Sequence, residues 1–429
     1  MRFLHVADLH LGLRVTRFGA KVNGRVQEAR IEALDHLLAQ VPALKPDFIL
    51  IAGDLFDDNL VDLATARRAF ELLEAARVPV YVLPGNHDPL TADSVYGRAP
   101  WNAATSRTVY VLREAEPTPI PGGTLFPCPL RSKNSFDDPT RWIPSRSNGD
   151  TSIRIGLAHG SLRCGGPLSP DDHVIDRNAA DAKGLDYLAL GHWHCPSRHA
   201  DRAGVVRTVY PGVHEPMRFF ENPDFATGWA EYTHTDRNDL FTDDGKGHAL
   251  IVTIDPPAVN GKHQNGHASL PSPTGRGAGG EGPGSVPQIE DIVTGRLQWH
   301  QETHELHDEA ELASLIDRLS KRESGGNHLL RLCLHGTLSA QAMLRLDELD
   351  AERAGGQGGV LSRYLWAELD ADRLVAEPTD AELQHLAGNG VVRAVYDRLR
   401  AETQSPDPAV RQVAWQSLLL LYGIATGAR

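Results

Sequence analysis

The sequence predicts a layered α/β fold, followed by a smaller α+β module and a helical tail. Three observations predict it. Short apolar runs alternate with amphipathic stretches over residues 1–257, as when strands are covered by helices. Polar motifs stand directly behind several of those runs, where functional residues of α/β sheets gather. A Gly- and Pro-rich break then separates this part from a C-terminal region with its own periodicity.

The elements follow in order. Phe3–Val6 predicts a strand. Residues 25–40 predict a helix with Val26, Ile31, Leu34, Leu37 and Leu38 on one face. Phe48–Ala52 is unbroken apolar chain, the mark of a strand buried on both faces. Leu63, Ala66, Phe70 and Leu73 predict a helix over 62–76. Val78–Leu83, Ile153–Ala158 and Tyr187–Leu190 predict further strands.

Residues 258–287 read as a linker. Of the 29 residues in 259–287, 8 are Gly, 4 Pro and 3 Ser, and none is aromatic, so burial cannot offset ordering entropy. Beyond it, 288–375 predicts a module with strands at 297–303 and 329–335 and helices at 309–321 and 339–353. The segment 376–429 is helical in pattern, with Val410, Val413, Ala414, Leu418 and Leu421 forming an apolar stripe.

Composition excludes several classes. The 429 residues exceed one ordinary core, and 41% hydrophobic against 23% charged describes a globular chain, not a disordered one. No apolar run approaches the roughly 20 residues of a membrane span, and the N-terminus reads as a strand, so a cytoplasmic location is expected. Four scattered cysteines without a C-x-x-C pair fit a reducing compartment. The net charge of −13 argues against coating nucleic acid by bulk positive charge, yet bound cations can supply that charge locally. The acidity is uneven, with 22 acidic and 14 basic residues from Gln288 onward.

Five motifs carry the chemistry: Asp8-Leu9-His10, Gly53-Asp54-Leu55-Phe56-Asp57, Gly85-Asn86-His87-Asp88, His159-Gly160 and Gly191-His192-Trp193-His194. Each follows a predicted strand, so all fall at one edge of a sheet. Mixed carboxylate and imidazole donors without thiolates suit a pair of divalent ions such as Mn²⁺, Fe²⁺ or Zn²⁺. Asp54 is the natural bridge, since a carboxylate can offer one oxygen to each of two cations.

In this order the motifs resemble the calcineurin-like metallophosphoesterase superfamily over roughly residues 1–230. The resemblance implies a layered metallophosphoesterase β-sandwich flanked by helices. It assigns one metal to Asp8, His10, Asp54 and His194, and the second to Asp54, Asn86, His159 and His192. His87 is the implied catalytic histidine, with Asp88 orienting it. The implied reaction is phosphoester hydrolysis by an activated water, with the ions about 3.5–4 Å apart.

A finer resemblance is to the nuclease subunit of SbcCD-type DNA repair complexes. It rests on Phe3–Gly12, Ala52–Asp57, Ala189–His194 and Tyr210-Pro211-Gly212. It implies a manganese-dependent DNA exonuclease, with endonuclease activity also open to it, whose α+β module caps the DNA. A helical tail would dock on an SbcC-like coiled-coil ATPase. DNA, that ATPase and a second copy of the chain are the implied partners, and no membrane is. Three features depart from the pattern: Asp57 replaces a second histidine of some relatives, Gly212-Val213-His214 replaces the usual Gly-Ser start, and the C-terminal third is acidic. Alternatives are a phosphodiesterase on nucleotides or other small diesters, and an inactive metal-site scaffold.

Other features read more plainly. His300, His304 and His307 resemble H-E-x-x-H only superficially, because position 301 is Gln301, and are expected to be surface histidines. Gly277–Gly282 matches G-x-G-x-x-G by letters alone, with no strand before it, and no P-loop occurs. Arg131, Lys133 and Arg141, with Arg146, are weak candidates for contacting phosphate in a loop-rich stretch. His5 and His214 lie near the motifs, where a structural role is expected.

Overall fold

The computed structural model describes residues 1–102, 106–163, 173–221, 239–241, 245–255, 285–322, 325–349, 359–377 and 390–426. The linker, apart from its last three residues, and the Gly277–Gly282 match lie outside them. The chain divides into two compact units, Met1–Phe220 with Phe225–Trp299, and Glu221–Asp224 with His300–Arg429.

Two sheets build the first unit. One runs in the order Gln288–Val293, His248–Thr253, Arg2–Val6, Phe48–Ala52, Val80–Leu83, Val109–Val111. Its last four strands are parallel, and His248–Thr253 pairs antiparallel with Arg2–Val6. The other runs Asp239–Phe241, Ser197–Ala200, Val206–Tyr210, Tyr187–Gly191, Ile153–His159, Gly123–Pro127, Thr118–Ile120.

Side-chain alternation stacks these sheets. Phe3, Phe48, Leu50 and Leu250 of the first sheet share a core with Leu125, Ile155, Tyr187 and Val209 of the second. The intervening residues Leu4, Val6, Ile49 and Ile51 point the other way, against Leu34 and Leu37 of helix Ala20–Ala39 and Phe70 and Leu73 of helix Leu63–Ala75. Phe48–Ala52 is therefore buried throughout, as its composition predicts. The second sheet's outer face carries Ala158, Leu188 and Leu190, packed on Ala179 and Ala180 of the short helix Ala179–Lys183.

The second unit contains the strands His328–Leu338 and Trp366–Ala376, paired in parallel, with Gln298–Leu306 beside His328–Leu338. Helix Glu309–Lys321 is capped by the Asp308 carboxylate, which accepts from Glu311 N, and buries Leu312, Leu315 and Leu319 against Leu330, Leu332 and Leu334. Helices Val391–Glu402 and Pro408–Thr426 meet through Tyr396 and Leu418.

Two expectations change. Gln288–Val293, expected in the second module, is the edge of the first sheet, hydrogen-bonded along His248–Thr253. The helix expected over 339–353 is two short helices, Ala340–Leu344 and Leu346–Leu349, and 350–358 lie outside the described residues. No described helix is long and apolar enough to cross a membrane.

Candidate metal centre

The motif loops leave their strands at one rim and are laced together by main-chain donors. Asp8 N donates to Gly53 O at 3.2 Å, His10 N to Asp54 O at 3.0 Å and Leu11 N to Leu55 O at 3.0 Å. Gly160 N donates to Gly191 O at 3.1 Å. Carboxylates tie the remaining loops. His192 N donates to both oxygens of Asp8, at 3.0 and 3.1 Å, and His87 N donates to Asp54 Oδ1 at 2.9 Å. Gly85 is required by proximity, because a Cβ there would lie 2.1 Å from Asp54 Oδ1.

This lacing forces unusual backbone. Asp8, His10, Asp54 and His192 have φ of 54°, 43°, 51° and 107°, in a region that side-chain-bearing residues rarely adopt. Such strain persists only where surrounding structure imposes it, and it clusters at functional sites.

The side chains converge. Asp54 Oδ2 lies 3.6 Å from His10 Nε2 and 3.3 Å from His159 Nε2, so this one oxygen faces a histidine of each expected ligand set. Asn86 Oδ1 faces His159 Nε2 at 2.8 Å and His192 Nδ1 at 3.3 Å. Asp8, His10 and His194 form one possible ligand group, and Asp8, Asp54 and His159 another. The structure thus brings together all seven expected ligands: Asp8, His10, Asp54, Asn86, His159, His192 and His194.

Partners behind the rings fix which nitrogen faces inward. His159 Nδ1 sits 2.8 Å from Ala52 O and donates to it, so Nε2 is the nitrogen turned toward the other ligands. His10 Nδ1 is held by Asp57 Oδ1 at 3.1 Å. Its Nε2 is buried with no hydrogen-bond partner, although it is turned toward Asp54. A buried nitrogen left in this way fits a bound cation.

The electrostatics agree. Burial holds His10 and His194 below the ordinary imidazole range, in the neutral form that binds metal. Burial raises Asp8 to about 8, against the opposing pull of His159. Burial would also raise Asp54, but the imidazoles of His159 and His10 overcome it and keep this carboxyl low. Burial lowers His159 less than Asp54 and Asp8 raise it, leaving it at about 9. Divalent charge would take over the role these shared protons play.

His87 stands at the rim with its side chain about one-third exposed, in a ligand-sized group with His10 and Asp54. Its Nδ1 is 2.8 Å from Asp57 O. Asp88 does not take the orienting role expected of it. Its Oδ1 accepts from Gly85 N at 2.7 Å, and its Oδ2 accepts from Phe56 N at 3.0 Å and Tyr96 Oη at 2.6 Å. Asp88 is a brace between the second and third motif loops, and Asp57 serves both His10 and His87.

Other expected residues lie apart from these groups. Arg131 pairs with Glu114 at 2.8 Å, and Lys133 and Arg141 are exposed. His300 stacks on His328, His304 pairs with Glu302 and His307 with Glu311. None of the three joins a ligand group among the described residues. His5 bridges the sheets, to Tyr187 Oη at 3.0 Å and Leu190 O at 3.2 Å. Sequence reasoning missed Tyr210 as a brace. Its hydroxyl donates to Gly160 O at 2.7 Å and accepts from Leu162 N at 3.0 Å, fixing the turn after His159.

In comparison with known proteins, residues 1–196, which hold all five motifs, match the calcineurin-like phosphoesterase family. This family is one of metal-dependent phosphoesterases with a dinuclear site. Among relatives, the chain is 27% identical over 243 residues to the uncharacterized metallophosphoesterase YhaO of Bacillus subtilis, covering 52% of this chain and 55% of that one. It is 29% identical over 241 residues to the DNA double-strand break repair protein Mre11 of Methanopyrus kandleri, covering 52% and 51%. Mre11 of Aeropyrum pernix gives 28% over 239 residues, covering 51% and 55%. The matches thus span about half the length of these curated relatives. A solved purple acid phosphatase from yellow lupin aligns with TM-score 0.33 at 12% identity, covering 49% of this chain and 43% of that one.

Proposed function

We propose that the chain is a two-metal phosphodiesterase acting on DNA, an exonuclease of DNA repair that works with an SbcC-like coiled-coil ATPase. The observation that carries the hydrolytic reading is the convergence of seven ligand residues, Asp54 and six others, with His87 at their open edge. The relatives named DNA double-strand break repair proteins support DNA as the substrate. Mn²⁺ is the cation that the resemblance to SbcD-type nucleases implies, and the mixed carboxylate and imidazole donors suit Fe²⁺ or Zn²⁺ as well.

Asp8, His10, Asp54 and His194 would hold one ion, and Asp54, Asn86, His159 and His192 the other. Bound there, the ions supply Lewis acidity, charge for the phosphate oxygens and an acidified water. The chain's own groups do the rest. Asp57 holds the rings of His10 and His87 by its carboxylate and its carbonyl. With Nδ1–H donated to Asp57 O, His87 keeps Nε2 for a proton delivered to the leaving oxygen.

The reading predicts Mn²⁺-dependent release of nucleotides from linear DNA. His87→Ala should lower it about 10²–10⁴-fold while both cations stay bound. Hydrolysis of bis-p-nitrophenyl phosphate but not of DNA, with the ATPase present, would replace DNA by a small diester. The pairing of Arg131 with Glu114 and the acidic C-terminal region favour that second reading. No hydrolysis of either substrate would leave a metal-binding scaffold.

A further inference from the structure

Helix Ala20–Ala39 turns an arginine into the core. Arg30 is fully buried, on the face that also carries Val26, Leu34 and Leu37. Its guanidinium is enclosed by main-chain carbonyls. Nε donates to Leu9 O at 2.7 Å and Nη2 to Asp8 O at 3.4 Å. On the other side Nη1 donates to Glu215 O at 3.1 Å and Pro216 O at 3.4 Å. His214 Nε2 lies 2.8 Å from the Arg30 carbonyl, and the Glu215 carboxylate accepts from Leu297 N at 2.9 Å and from Arg296 N.

The position of these carbonyls matters. Asp8 and His10 both have left-handed backbone, so the chain between them does not continue its strand. Its amides point to the second motif loop, and the carbonyls of Asp8 and Leu9 face the helix. Without a donor they would be buried and unsatisfied, and the loop could relax toward ordinary φ by turning the Asp8 and His10 side chains. A guanidinium offers donors in a rigid planar fork that can reach both sides of such a cage at once, which an ammonium cannot. Burial lowers Arg30 only to about 10, so it stays charged at neutral pH.

We propose that Arg30 is a positioning residue of the metal centre: braced on the Glu215–Pro216 main chain, it holds the Asp8–Leu9 carbonyls so that Asp8 and His10 keep their ligand geometry. This rests on the two-metal reading above. It concerns the ion assigned to Asp8, His10, Asp54 and His194, since the Asp8–His10 loop gives two ligands to that set and none to the other.

The test is Mn²⁺ titration calorimetry of the full chain, with the Mn²⁺ electron paramagnetic resonance spectrum and urea unfolding recorded on each sample. Arg30→Lys keeps the charge, and Arg30→Met keeps much of the bulk without donors. Each should bind one Mn²⁺ about 10–100-fold more weakly than the unaltered chain, the range for loss of a group that orients a ligand. The other ion should move less than about threefold, and the spin-coupled signal of the pair should fade at concentrations that saturate the unaltered chain. If a folded Arg30→Lys or Arg30→Met protein binds both ions as the unaltered chain does, Arg30 only stabilises the fold and the proposal fails. It fails equally if neither variant unfolds cooperatively. If the unaltered chain itself binds no Mn²⁺, the two-metal reading fails first.

Discussion

Replacing Gly53 by alanine tests the centre through its tightest contact. A Cβ built on Gly53 would lie 2.1 Å from His159 Nδ1, 2.6 Å from its Cγ and 2.9 Å from its Cβ. Real Cβ atoms essentially never approach other atoms below 3.0 Å, and the obstacle here is a buried ring, not a flexible tip. The ring must retreat by roughly 1 Å, which breaks its bond to Ala52 O and leaves that carbonyl buried, at about 1–3 kcal/mol. Gly53 also has φ of 89°, and left-handed backbone costs alanine about 1–2 kcal/mol more. The variant should lose about 2–5 kcal/mol of stability in urea unfolding. By calorimetry, Mn²⁺ affinity at the His159 position should fall about 10–100-fold. A folded Gly53→Ala protein with unchanged affinity for both ions would refute the assignment of His159 as a ligand fixed by its Nδ1 bond.

Two further predictions concern protons. Burial holds His5 at about 3, so the folded chain keeps this ring neutral while the unfolded chain takes up a proton near pH 6.5. Folding stability should therefore fall as pH drops from 6.5, by about 2–3 kcal/mol at pH 4.5 from this residue alone. His5→Gln should remove that part of the slope in urea unfolding across this range, and an unchanged slope would rule the effect out. At pH 7 Asp8, near 8 through burial, and His159, near 9 through Asp54 and Asp8 despite burial, carry protons that cations must displace. Mn²⁺ binding should release about one or more protons, seen as a dependence of the calorimetric heat on buffer ionisation enthalpy. A heat independent of buffer would count against Asp8 and His159 as ligands.

Much of the site was legible because its signals are local. An apolar strand such as Phe48–Ala52 declares itself by composition, and a motif directly behind it needs no knowledge of distant chain to be placed at the rim. What failed depends on partners far away in sequence. Gln288–Val293 is half polar and largely exposed, so it looks like the start of a new module, and only pairing with His248–Thr253 puts it in the first sheet. Asp88 adjoins His87, yet the strongest demand on its carboxylate comes from Phe56 N and Tyr96 Oη. Arg30 breaks an otherwise apolar helix face, the one visible hint of its role. Its carbonyl partners at Glu215 and Pro216 lie 185 and 186 residues away, so periodicity could not supply them.

The edge strand at Gln288–Val293 also governs how this protein can be divided. A fragment ended at residue 257, where the linker composition invites a cut, would strip His248–Thr253 of its outer neighbour. That would bare the main-chain amides and carbonyls of a strand whose side chains are nearly all buried. Such open ladders recruit other chains, so the shortened protein should self-associate. A fragment carried to Trp299 keeps that flank covered, along with the Arg296 and Leu297 amides held by Glu215, and is the sounder cut for work on the first unit alone.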